Sequence, residues 1–290
     1  MEFVDIGVTT TGELVVVATP LGNLGDISRR ALGLLASADV VYCEDTRHSR
    51  TLFSAHGIAI DGRLLSLHEH NEASLCEEVV ERVRGGQVVV VISDAGTPGI
   101  SDPGSRVVAA VAEAGLRVST APGPAAVIAA LTISGLSTER FVMEGFIGRK
   151  ASERESLYRQ WVSEPRTIVF YESPQRLVTT LNELEAYFAD RRIAVAREIT
   201  KIHEEVVRGT VREVAAAFRQ REVLGEIVVV LAGGFEAPSI DDSTLRAALR
   251  DQLATGVSVR DAVSYVADTF GVAHRSTYQL ALELRADQGV

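Results

Sequence analysis

The sequence predicts an α/β protein built from two α/β halves and a small helical unit at its end, and three observations carry that prediction. The first half alternates short β-branched runs with amphipathic stretches, the pattern of a parallel sheet with crossover helices. In the second half, strand-like runs at 193–198 and 204–209 lie too close for a helical crossover, which predicts an antiparallel hairpin and hence a mixed sheet. After Gly233-Gly234 only helical periodicity remains. With 290 residues the chain has room for more than one core. The expected divisions are an amino-terminal α/β domain over 12–124, a mixed-sheet α/β domain over 125–235 and a helix-turn-helix-like unit over 241–287.

The elements follow in order. Glu13 to Thr19 reads as a buried strand, and Asp26 as the N-cap of a helix reaching about Ala36. Val40 to Cys43 and Leu64 to Leu67 read as strands, with a helix over Thr46 to Ala55 between them. Glu72 to Arg84 is a helix stopped by Gly85-Gly86, and Val88 to Ile92 is the most apolar strand. Ser101-Asp102-Pro103 then opens a helix with proline at its first position, and Leu116 to Thr120 is a strand. Pro122-Gly123-Pro124 breaks the chain, so the boundary is expected in or just after 122–136. Later strands fall at 141–146, 167–171, 193–198, 204–209 and 226–232, with helices at 152–162, 174–187 and 211–220. Gly271 separates the last two helices of the tail.

Composition narrows the function. Hydrophobic residues make up 46%, which argues against disorder, and no apolar run is long enough to span a membrane. The start, Met1 to Asp5, is acidic where a secretory leader would be basic, and Cys43 and Cys76 form no metal or disulfide framework; a cytoplasmic protein is expected. The net charge of −10 weighs against unaided binding to naked nucleic acid. Lys150 and Lys201 are the only lysines; an arginine bias fits either phosphate contact or a GC-rich genome.

Four loops fall at carboxyl ends of strands, where open α/β sheets bind ligands: 19–26, 44–47, 93–99 and 122–126. Gly22-x-x-Gly25 is not a dinucleotide fingerprint, and no Walker lysine follows. Asp94 contacts a ligand or caps a turn; with Gly96 and Pro98 beside it, ligand contact is favoured. Asp45 either caps a helix or faces the site with Glu44, while Arg47 suits RNA phosphate. His68 and His70 have no matching third ligand, so no metal is expected. Tyr171 stacks on a base, covers a ligand or fills the core.

Taken in order, Val17 to Asp26, Glu44 to Arg47, His68 to Glu72, Val91 to Gly104, Pro122 to Pro124, Phe170 to Pro174 and Ala196 to Lys201 form a specific set. Together they resemble the bacterial small-subunit rRNA cytidine 2′-O-methyltransferases (RsmI type) of the tetrapyrrole-methylase-like class, over about residues 13 to 234. The stretch Ile147-Gly148-Arg149-Lys150 and Gln175 depart from the usual pattern of that family.

The resemblance implies two α/β domains of the class III methyltransferase type with a cleft between them. S-adenosylmethionine would lie in that cleft. Pro20, Ser93, Asp94, Ala95, Gly96, Pro98, Ile100 and Ser101 would line it from one side, and Ala125, Ala126, Tyr171, Ala196 and Gly225 from the other. It also implies 16S rRNA within the small ribosomal subunit as substrate, and a homodimer. A ribose hydroxyl needs a base as it attacks, and Asp45, Glu44, Lys201, Glu172 and His70 are the candidates, in no order. A tetrapyrrole methyltransferase of the same fold is the runner-up, and a non-catalytic RNA-binding protein the third reading.

Overall fold

The computed structural model describes residues 12–234, 242–270, 272 and 274–287; the acidic start at Met1 to Asp5 and the separating Gly271 lie outside the described residues. The chain divides into two compact units. One runs to Tyr158 and resumes over Thr167–Ala232; the other joins Arg159–Arg166 to the residues from Gly233 onward.

The first unit holds two five-stranded sheets. Strands β1 (Glu13–Val17), β2 (Val40–Cys43), β3 (Leu64–Ser66), β4 (Val88–Val91) and β5 (Arg117–Ala121) form the first, in the order β3-β2-β4-β1-β5. All its pairings are parallel, as the alternation of strands and helices predicts. Successive residues of a strand point to opposite faces, and here both faces are covered. Val15, Val17, Val41, Val90 and Ile92 pack with Leu35 of α1 (Arg29–Ser37) and Phe53 of α2 (Thr46–Ala55). Leu14, Tyr42, Val89 and Val91 pack with Val79 of α3 (Glu72–Arg84) and Val107 of α4 (Ser105–Glu113). Coverage on both faces explains why Val88–Val91 is apolar at every position.

The second sheet comprises β6 (Phe141–Phe146), β7 (Thr167–Glu172), β8 (Arg192–Arg197), β9 (Glu205–Thr210) and β10 (Ile227–Leu231), in the order β6-β7-β10-β8-β9. Only β6 and β7 pair in parallel, and β8 and β9 form the expected antiparallel hairpin. Helices α6 (Ala151–Trp161), α7 (Pro174–Phe188) and α8 (Val211–Phe218) match the predicted ones to within two residues at either end.

Three expectations need correction. Helix α5 (Ala126–Ser134) is not among the expected helices and occupies the stretch in which the domain boundary is expected. Pro122 and Pro124 lie before it, and its sequence AVIAALTIS is apolar all round, so it shows no amphipathic stripe. It packs Val127, Ala130 and Leu131 against Val169, Ala194 and Val230 of the second sheet. Asp26 does not cap α1: it closes the 3₁₀ turn Leu24–Asp26, and the Ser28 hydroxyl accepts the Ala31 N–H at 3.0 Å instead. Asp102-Pro103 does not open α4. That helix starts at Ser105, after Gly104 at φ +127°, and its cap comes from outside the segment, from the Glu72 carboxylate.

In the second unit, α9 (Asp242–Ala254), α10 (Val259–Phe270) and α11 (His274–Asp287) are the helices predicted after the glycine pair. Leu245, Leu249, Val263, Val266, Ala281 and Leu284 form their shared core.

Candidate functional site

Parallel strands leave their carboxyl ends at one edge, and the loops there are stitched together. The Thr19 N–H donates to the Gly96 carbonyl at 2.8 Å, and the Gly96 N–H returns a bond to the Thr19 carbonyl at 3.1 Å. The Thr19 hydroxyl donates to the Ser93 carbonyl at 3.0 Å, and that of Thr97 to the Pro124 carbonyl at 2.9 Å. Gly96, at φ +89°, lets the turn reverse while its Cα packs beside Leu21. Three of the four predicted loops are thereby locked to each other.

A cavity of about 400 Å³ opens beside this junction. Asp94, Ala95, Gly96, Ile100, Ser101, Ala125, Ala126, Tyr171 and Gly225, all expected at the donor site, line it. Pro20, Ser93, Pro98 and Ala196 do not line it: they are buried next to lining residues and shape the wall from behind. Three non-glycine residues around the cavity hold the left-handed conformation: Ser101 at φ +63°, Glu198 at +53° and Thr200 at +67°. Such backbone persists where surrounding contacts impose it, and it concentrates at functional sites.

The five candidate bases are not equivalent. Glu172 lines the cavity, but it is 2% exposed and its oxygens are committed. One accepts the Ser173 N–H at 2.8 Å and lies 3.4 Å from Arg176 Nε; the other accepts the Thr180 hydroxyl at 2.7 Å. Asp45 caps α2 through the Arg47 N–H at 2.7 Å, and its own N–H donates to Asp94 Oδ1 at 3.1 Å. Glu44, adjacent in the chain, is held above the usual carboxylate range by burial and then by Asp94.

Lys201 Nζ bridges Glu198 at 2.9 Å and Glu226 at 3.2 Å. Burial works against its charge, but the two carboxylates lift its pKa, so it is held as a cation and is a poor proton acceptor. Its stem lies over Gly22, where a Cβ would come within 2.3 Å of Lys201 Cγ. Lys201 thus ties the first loop to the cavity-lining Glu226. His70 is exposed, 6.0 Å from the His68 ring, and is not on the cavity wall.

Of the lining residues that sequence reasoning missed, which include Leu21, Ile199, Ile227 and Val228, two others carry distinct chemistry. Phe146 stands 62% exposed at the end of β6, its ring 5.3 Å from that of Tyr171. Asp102 lines the cavity from a turn read as a helix start. Its carboxyl is pushed up to about 6 by burial first, then by Glu44, Asp94 and Glu226, against the pull of the Ser93 hydroxyl. The bracketing Gly99 and Gly104, both at positive φ, were the signal that this segment is a turn.

The profile of the family described as Tetrapyrrole (Corrin/Porphyrin) Methylases matches residues 13–215, so the class that fold and site define is a methyltransferase of this type. Among solved structures, a cobalt precorrin-4 methyltransferase shares the fold at a TM-score of 0.55, with 21% identity, covering 76% of this chain and 94% of that one. A diphthine synthase does so at 0.57, with 17% identity, covering 76% and 89%.

Much greater similarity links the chain to proteins named ribosomal RNA small subunit methyltransferase I. The Mycobacterium tuberculosis protein is 45% identical, covering 97% of this chain and 98% of its own. The Synechocystis protein is 42% identical, covering 95% and 99%. The chain belongs to the ribosomal RNA small subunit methyltransferase I family within the tetrapyrrole methylases.

Proposed function

We propose that the protein transfers a methyl group from S-adenosylmethionine to the ribose 2′-hydroxyl of a cytidine in 16S rRNA, within the small ribosomal subunit. The carrying observation is the cavity itself, which suits both ends of such a donor. Ala95, Gly96, Ala125 and Ala126 line its wall with small side chains, which lets a ligand approach closely. The amino end of α5, with no side-chain cap, borders it and suits a carboxylate. Asp94 suits ribose hydroxyls and a cationic sulfur. When bound, S-adenosylmethionine supplies an electrophilic methyl group on that positive sulfur. The protein's residues orient the hydroxyl against it, exclude water and take the proton.

The RNA assignment rests on relatives 42% and 45% identical over at least 95% of the chain, whereas the precorrin enzyme reaches 21%. That difference weighs against the tetrapyrrole reading. Phe146, exposed at the cavity mouth, is placed to stack on a base turned out of its helix. Arg47 and Arg149-Lys150 are exposed and fit phosphate. No helix of the described residues is long and apolar enough to cross a membrane. The reading carries with it work on ribosomal subunits in the cytoplasm, a homodimer, and the division into domains over 12–124, 125–235 and 241–287.

Titration with S-adenosylmethionine tests the donor site. The protein is expected to bind it, and Asp94→Asn to bind it ~10-fold more weakly, about 1.4 kcal/mol. A wild-type protein with no measurable affinity for donor or product would refute the assignment.

A further inference from the structure

We propose that Asp102 is the base that accepts the proton of the target ribose hydroxyl, an inference that rests on the methyl-transfer reading above. Three observations single it out among the carboxylates of the cavity.

Asp102 sits on the wall, on a turn the fold holds rigidly. Glu72, 4% exposed in α3, anchors that turn from behind. Its Oε1 accepts the Gly104 N–H at 2.9 Å and the Arg106 N–H at 2.8 Å. The Gly99 N–H donates to the Pro103 carbonyl at 3.1 Å, closing the turn upon itself. Ser101, just before Asp102, is held left-handed and itself lines the cavity. A reacting group benefits from such placement because orientation is most of what the protein can supply here.

The rival carboxylates on the wall are engaged. Glu172 spends its oxygens on Ser173, Thr180 and Arg176. Glu226 pairs with Lys201, and Asp94 Oδ1 accepts the Asp45 N–H. Among the described residues, the groups acting on Asp102 are the Ser93 hydroxyl and the carboxylates of Glu44, Asp94 and Glu226, none of them cationic; Tyr171 also feels its charge. No salt bridge therefore has to break before it takes a proton.

The environment gives it suitable basicity. Burial and the three carboxylates push it up to about 6, so it is ionised at neutral pH yet far more basic than an exposed aspartate. In the step, the 2′-hydroxyl proton moves to the Asp102 carboxylate as the oxygen–methyl bond forms. The sulfur–methyl bond breaks with its electron pair left on sulfur, giving the neutral thioether, and Asp102 later releases the proton to water.

The test is single-turnover methylation of small ribosomal subunits between about pH 5.5 and 8.5, with donor titrations in parallel. The wild-type rate is expected to fall as pH drops through about 6, where Asp102 protonates. Asp102→Asn is expected to be slower by ~100-fold or more and to lose that pH dependence. Its donor affinity should stay within ~3-fold of wild type, and Asp102→Glu should recover part of the rate. An Asp102→Asn enzyme with the wild-type rate and profile would overturn the proposal, as would one whose lost rate is matched by lost donor affinity. If the wild type binds donor but labels no RNA, the RNA reading fails and the proposal falls with it. If the wild type and Asp102→Asn label equally, only the role of Asp102 fails.

Discussion

Asp102 shows how one residue couples stability to function. Its carboxyl is raised from an ordinary 3.8 to about 6, so folding disfavours its charged form. Well below pH 3.8 it is neutral in both folded and unfolded chains and costs nothing. As pH rises through the interval to 6 the unfolded chain ionises more readily and stability is lost, with the full cost present above 6. Asp102→Asn should therefore raise the melting temperature by ~2–4 °C at pH 7.5 for each kcal/mol relieved and leave it unchanged at about pH 3. Melting curves at the two pH values check this. Phe146 is the second residue with a distinct expectation. With 62% of its surface exposed, Phe146→Ala should leave the melting temperature within about 2 °C. If the ring stacks on the target base, the same change should raise the KM for subunits by ~10-fold, a stacking loss of 1–3 kcal/mol.

At the level of elements, the α3–α4 corner is the most informative. Glu72 bonds its carboxylate to the first N–H groups of α4, a cap supplied from 32 residues away in sequence. Glu72→Ala leaves those groups unsatisfied in a buried place and should cost about 2–4 kcal/mol in denaturant unfolding. It should also slow methyl transfer, because the same contact holds the Asp102 turn. The corner also shows where the sequence stops being legible. Local signals are readable: β-branched runs placed the strands of the first sheet, and the short gap between 198 and 204 implied the β8–β9 hairpin. A cap that arrives through space is not, so Asp102-Pro103 read as a helix start. Helix α5 was hidden for a different reason: its outward side carries apolar Ile128, 47% exposed, so it lacks the polar face that periodicity detects. The site divides in the same way. The loops of β1, β4 and β5 were found because small residues at strand ends have a local signature. Whether a titratable side chain lines the cavity, as Asp102 does, or stands apart on the surface, as His70 does, depends on contacts that spacing does not encode.

For the whole molecule, the charge of −10 sets the expectation for RNA. Such a protein gains little from general attraction to phosphate, so recognition should depend on local cations and on the shape of an assembled particle. Lys150 is 78% exposed and pairs only through the surface with Glu153, an interaction worth little in water. Reversing charge at Arg149 and Lys150 together should weaken subunit binding by ~10-fold or more and flatten its salt dependence by about two phosphate contacts, with donor affinity unchanged. Filter-binding titrations at several salt concentrations measure both. The central claim is tested most directly by incubating the protein with methyl-labelled S-adenosylmethionine and small subunits from a strain lacking this modification, then mapping the label by nuclease digestion and mass spectrometry. The account predicts one labelled cytidine carrying its methyl on the ribose. Label on a base, or no label on subunits or free rRNA despite measurable donor binding, would contradict it.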